Sequence, residues 1–192
     1  MVGALSVARL SERMGRSFVL GGVAWERLPI DPYPGPRPMD EIAAARHLSD
    51  HAALAGPETR TADGSVFAES HMARFLGEET VLVDILAGPR AIAESIGSVA
   101  ELLGADLVIG VDVGGDVLGD GTEAGLASPL CDAVMLAAMK HLEQAGHRTL
   151  GAVFGPCCDG ELTIEEILDR LAVLAAGGGV LGAHGMTPDV VA

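Results

Sequence analysis

An α/β fold is what this sequence predicts: a Rossmann-like three-layer arrangement with a mainly parallel sheet and helices on both faces. Three observations carry that prediction. Short continuous apolar runs alternate with amphipathic segments, the pattern of strands buried on both faces and covered by helices. Glycine or proline punctuates nearly every junction between them. Hydrophobic residues make up 49% of the chain but aromatics only 3%, so Ala, Val, Leu and Ile must build a core in which helices lie close to the sheet. A length of 192 residues suits a single α/β domain across positions 1–192.

The elements follow in order. "VGALSVARLSERMG" spaces Val7, Leu10 and Met14 as on a helix and stops at Gly15, and "SFVLGGVAW" reads as a buried strand. Five prolines between Glu26 and Ile42 exclude regular structure, so "ERLPIDPYPGPRPMDEI" is an ordered loop or a lid. From about Asp40 to Leu76 the pattern is weakly helical and the least legible. Within it "HLSDH" sets His47 and His51 four apart, a zinc-helix spacing that lacks the intervening Glu base. "TVLVDIL" is then a strand, and "GPRAIAESIGSVAELLG" is a helix with Pro89 in its first turn, Ile92, Ile96, Val99 and Leu103 on one face, and Gly104 as its stop. After the strand "DLVIGVDV", Ser128 caps a helix that begins at Pro129 and ends at Gly146. "TLGAVFG" is the last strand, and Thr163 with Glu166 forms a capping box for "TIEEILDRLAVLAAG".

Ligands of such folds bind beyond the carboxyl ends of the strands, and the chemically rich segments fall there. In "VDVGGDVLGDGTEAGLASPL", Asp112, Asp116, Asp120 and Glu123 gather among glycines with no lysine or arginine. Gly114 and Gly115 let a ligand approach the backbone, while Asp112 and Asp116 could hold Mg²⁺ or another hard divalent cation, or accept hydrogen bonds from a hydroxyl or an amine. Such clusters also simply make turns. Asp132 either extends the acidic group or complements the helix dipole. Arg27, Arg37 and Arg90 are candidate anion clamps, the alternative being pairing with Glu26, Asp31 or Asp84. Trp25 offers a stacking surface or a core contact. Asp159 and Glu161 stand at a helix entrance in "GPCCDGE", and Cys157 and Cys158, with no C-x-x-C spacing, read as small packing groups.

"WERLPIDPYPGPR", "DVGGDVLGDGTEAGLASPLCDA" and "GPCCDGEL", in this order, resemble the bacterial and archaeal family catalogued as domain of unknown function 1152. The resemblance spans roughly positions 2 to 189 and supplies no reaction. It implies a longer chain, with an opening strand and a glycine-rich turn ending in Asp before "VGALSVARL", and with an extension after "GAHGMTPDVV". It also implies a glycine where Cys157 stands.

With 12 basic and 27 acidic residues the formal charge is -15, which disfavours nucleic acid and anionic membranes as partners. No secretory signal opens the chain, and three cysteines suggest a reduced, cytoplasmic setting. The expected function is a small-molecule enzyme acting on a polar hydroxylated, amine-bearing, nucleoside-like or phosphosugar-like metabolite. Asp112 and Asp116 would orient substrate or metal, Glu123 or Asp159 would serve as acid or base, and Gly114, Gly115, Ser128, Asp132, Glu161, Trp25 and the three arginines would bind substrate. The alternative is a non-catalytic binding or regulatory domain, or a shortened remnant. A homo-oligomer is also expected, since a sheet lacking its first strand exposes an edge.

Overall fold

Glycines and prolines place the boundaries of the elements in the computed structural model, which describes residues 1–185 and 187. The end of the stretch that resembles the family lies outside them. Helix α1 (Val2–Arg13) is followed by strands β1 (Gly21–Val23), β2 (Ile42–Ser49) and β3 (Ala52–Thr61), helix α2 (Ala68–Leu76) and strand β4 (Thr80–Val83). Helix α3 (Pro89–Leu103), strand β5 (Val108–Val113), helix α4 (Pro129–Gln144), strand β6 (Thr149–Phe154) and helix α5 (Ile164–Ala176) complete the order. None of these helices is long and apolar enough to cross a membrane. The chain forms two compact units. The first holds Met1, residues 18–108 and residues 134–150, and the second holds residues 2–17, 109–133 and the chain from 151 onward.

The four-stranded sheet of the first unit has the order β1-β4-β3-β2. Only β1 and β4 run parallel, whereas β3 pairs antiparallel with both β4 and β2. The expectation of a mainly parallel sheet is therefore corrected: this sheet is mixed, and the chain is α/β in the coarser sense. The cause is the β2–β3 hairpin, formed where the sequence looked weakly helical. Alanine favours helix intrinsically, but Ala52, Ala53 and Ala55 are 0% exposed in a central strand, where tertiary packing outweighs propensity. Pro57 would remove a ladder amide from a regular strand. It sits instead in a register shift where residues 56–59 bulge opposite Ala44, whose φ is 55°. Thr59 pins that bulge, accepting from the Gly56 amide at 2.9 Å and donating to the Ala44 carbonyl at 2.7 Å. His47 and His51 consequently lie on and beside strands, not on a helix, which removes the zinc-helix spacing.

Ala24, Met39, Ile42, Ala53, Ala55, Phe67 and Leu82 form the core of this unit. The proline-rich loop closes beside it on one buried charge. Arg37, 5% exposed, donates two hydrogen bonds to Asp31 at 2.7 and 2.8 Å, one to Glu41 at 2.9 Å and one to Asp63 at 2.7 Å. Its guanidinium also lies 4.3 Å from the centre of the Tyr33 ring. The hydrogen bonds from Arg37 hold the Asp31 carboxyl below its ordinary range, against the opposing effect of burial. Arg37 thus takes the loop-acid pairing that the sequence offered as its alternative.

In the second unit, α1 buries Gly3, Ser6 and Ala8, a face rotated from the expected Val7–Leu10–Met14 stripe. A side chain at position 3 would meet Val113 at 2.6 Å and Phe154 at 3.0 Å, so glycine lets the helix lie directly on these strand ends. Strands β5 and β6 form a separate two-stranded sheet. The Val108 amide donates to the Arg148 carbonyl and the Gly114 amide to the Phe154 carbonyl, an advance of six residues along both chains, so they run parallel as expected. The capping box of Thr163 and Glu166 opens α5.

Removing one partner of a buried ion pair leaves the other charge uncompensated. Arg37→Met is expected to destabilise the chain by about 3–5 kcal/mol in urea unfolding at neutral pH. The loss should shrink in acid: the folded-state pKa of Asp31 is lowered, so the stability it contributes is present above the ordinary carboxyl value and fades as pH falls through the folded one.

Candidate functional site

Asp112, the next-to-last residue of β5, is turned back on itself by two glycines. Gly114 (φ 122°) and Gly115 (φ 109°) occupy backbone conformations that L side chains rarely adopt. The Gly115 amide donates to Asp112 Oδ2 at 2.8 Å, closing the turn. Space imposes the same choice: a Cβ at Gly114 would fall 1.7 Å from Asp159 Oδ2, and one at Gly115 would fall 2.5 Å from Ile167. A 3₁₀ turn over Asp116–Leu118 then buries Asp116 to 6% exposure, and the first turn of α4 supplies Asp132.

Oxygens of Asp112, Asp116 and Asp132 all lie within 4.8 Å of one another. The charges acting on Asp112 and Asp132 are carboxylates. Burial first, and then the charge of Asp116, push Asp112 up to about 6 and Asp132 up to about 7. Two unit charges 4 Å apart repel by about 4 kcal/mol at an effective dielectric constant of 20. Asp112 and Asp132 therefore keep their protons toward neutral pH. Cys131, one residue before Asp132, is pushed up to about 11, chiefly by burial, which makes it a packing thiol and not a nucleophile.

A second tier of acids shapes the rim. Glu161 Oε2 accepts the amides of Ala127 at 2.7 Å and Ser128 at 2.9 Å, while its Oε1 receives the Ser128 hydroxyl at 2.5 Å. The same hydroxyl reaches Asp116 Oδ2 at 3.2 Å, so Ser128 faces carboxylates and ties Glu161 to the acidic centre. Asp159 accepts the Glu161 amide at 3.1 Å and packs over Gly114. The side chain of Glu123 is 3% exposed and receives Arg170 at 2.8 and 3.1 Å, with Asp120 also held by Arg170 at 2.6 Å. The Asp120 and Gly121 amides donate to the Glu123 carboxylate as well, and the carboxyl sits below its ordinary range, first because of the Asp120 amide.

Of the expected site residues, the second unit thus brings Asp112, Gly114, Gly115, Asp116, Ser128, Asp132, Asp159 and Glu161 into one hydrogen-bonded and packed group. Glu123 is engaged by Arg170. Trp25, Arg27, Arg37 and Arg90 belong to the first unit, where Arg37 is the buried hub and Arg27 is exposed. Arg90 borders a surface cleft of about 450 Å³ shared with Glu94, His141 and His147. Arg170 was not singled out from the sequence, although a lone arginine on a helix of acids and aliphatics was its visible signal.

The family model for "Protein of unknown function (DUF1152)" matches residues 1–192, the whole chain. The chain belongs to this family. No curated protein and no solved structure matches it. Within the DUF1152 chain, the cysteine that stands where the family resemblance implies glycine has a local consequence. Cys157 holds φ 68° while its amide donates to the Gly114 carbonyl at 2.6 Å, so a left-handed residue braces the glycine turn.

The left-handed conformation costs a non-glycine residue about 1–2 kcal/mol, partly offset in glycine by its larger loss of chain entropy. Cys157→Gly should therefore raise stability by up to about 1 kcal/mol in chemical denaturation. For the acidic centre, the folded-state values of Asp112 and Asp132 lie above the ordinary 3.8, so stability in chelator falls as pH rises through about 6 to 7. Asp116→Asn should flatten that fall and gain roughly 1 kcal/mol at alkaline pH, read from urea midpoints on either side of the window.

Proposed function

We propose that the centre formed by Asp112, Asp116 and Asp132 binds a divalent cation, Mg²⁺ or a similar oxygen-seeking ion. Through that ion it binds a polar hydroxylated, amine-bearing, nucleoside-like or phosphosugar-like metabolite in a small-molecule enzyme. The observation that carries this reading is the convergence of three carboxylates within 4.8 Å, with carboxylates as the charges acting on Asp112 and Asp132. Hard cations take such oxygen ligands and cancel the repulsion that the folded chain otherwise bears. Placement also supports it: Asp112 stands at the carboxyl end of β5 and Asp132 in the first turn of the next helix, where Rossmann-like folds hold ligands. The reduced thiols and acidic surface suit a cytoplasmic setting without nucleic-acid or membrane partners.

One observation favours the second reading, a non-catalytic binding or regulatory domain. The two expected acid–base groups already have partners: Glu123 is held by Arg170, and Asp159 by the Glu161 amide and the Gly114 backbone. In that reading the cation orders the loop and the metabolite is bound without turnover.

The test is a thermal-shift titration with Mg²⁺, Mn²⁺ and Ca²⁺, in the parent, Asp112→Asn and Asp132→Asn. Cation at about 100 times its dissociation constant should add about 2.7 kcal/mol, a rise of roughly 5–10 °C in a domain of this size. Both variants should lose the rise. A cooperatively folded parent that none of the ions stabilises would sink the reading, and metabolite turnover in the cation-loaded protein separates enzyme from binder.

A further inference from the structure

Helix α2 of the first unit begins under two carboxylates. Glu26, in the loop after β1, accepts the Ala68 amide at the helix N-terminus at 2.5 Å. The next residue along, Glu69, is 4% exposed in the first helical turn. Its Oε1 presses on the backbone of Gly22 in β1, so closely that a Cβ there would fall 1.8 Å away. Its Oε2 is buried with no hydrogen-bond partner. A carboxylate this buried, with one oxygen unpartnered and only partial relief from a hydrogen bond donated by its own backbone amide, is disfavoured as an ion, and a proton is the one ligand that needs no added space.

The surroundings reinforce that preference. Glu26 contributes a like charge from the β1 side, and the α-amino group at Met1 opposes it weakly. From β4, Thr80 donates its hydroxyl to the Glu69 carbonyl, and from β3 the Thr59 carbonyl accepts the Ser70 hydroxyl, so both strands anchor the helix backbone without adding charge at Glu69. Burial, ahead of the Glu26 charge, pushes the Glu69 carboxyl up to about 7.

We propose that Glu69 is a proton-controlled latch: protonated, it seats the first turn of α2 on Gly22 of β1, and ionised, it lifts that turn toward water. The Glu26 cap lies one residue away, so the loop after β1 loosens with the turn. The direction follows from the two values. The closed state holds its proton up to about 7 and an open, hydrated carboxyl only to about 4.5, so closure is complete below the lower value and is lost as pH rises through the upper one.

Hydrogen–deuterium exchange of the full chain tests the latch, reading peptides over Gly21–Val23 and Ala68–Leu76 from about pH 5 to about pH 9. Parent and Glu69→Gln are compared at each pH, so intrinsic exchange rates cancel. The parent's opening constant should climb by up to about tenfold per pH unit and level off above about 7, while Glu69→Gln stays near the parent's acidic value. Asp112 and Asp132 titrate in the same range, so the effect must be local: their peptides should exchange alike in parent and variant. Superimposable pH courses for α2 in parent and Glu69→Gln would overturn the proposal. If Glu69→Gln does not fold, Glu26→Gln decides: removing the like charge should move the parent's midpoint downward, and an unmoved midpoint overturns the latch.

Discussion

Carboxylate repulsion is the constraint on which the rest of this molecule turns. With 27 acids and 12 bases, arginine cannot neutralise every acidic neighbourhood, and the fold concentrates it at a few points. Arg37 gathers Asp31, Glu41 and Asp63 beneath the proline-rich loop, and Arg170 gathers Asp120 and Glu123 in the glycine-rich one. Each is a charged hub that fixes a loop which prolines or glycines would otherwise leave without regular hydrogen bonding. Asp112, Asp132 and Glu69 instead face burial and other carboxylates, and they answer with raised affinity for protons.

Close approach is the second theme, and it follows from the lack of aromatic bulk. The Gly114–Gly115 turn lets Asp159 and Ile167 press on bare backbone, which brings the α5 entrance against the end of β5. Ser128 and Glu161 then join the loop to that entrance through a shared hydroxyl and two amides. The proposed cation site depends on this stiffness, because three carboxylates a few ångströms apart favour a cation only while they cannot swing away from one another.

Much of this was legible along the chain. Helices α3, α4 and α5 begin and end at the prolines, glycines and capping box that mark them, since these signals act within a few residues and need no tertiary partner. Asp112 and Asp116 were visible as candidates because a strand followed by two glycines and two carboxylates is a local pattern. The β2–β3 hairpin was not, because Ala52, Ala53 and Ala55 prefer helix until neighbouring strands bury them. Nor was the rotation of α1, whose contact face is chosen by the smallness of Gly3 instead of by its largest apolar side chains.

The sequence by itself determined the family, the alternation of strands and helices, and the acidic loop after β5, since each rests on residue order and local backbone chemistry. Only the tertiary structure decided which acids an arginine holds and which face burial or other acids. Asp132 and Glu123 look alike in sequence, yet the first turn of α4 delivers one to a group of carboxylates while Arg170, 47 residues further on, claims the other. Glu69 carries no sequence signal at all, because its isolation arises from the backbone of Gly22 covering one oxygen and from the absence of any donor for the other. Burial and long-range charge pairing belong to the folded chain, and they set the chemistry of these side chains.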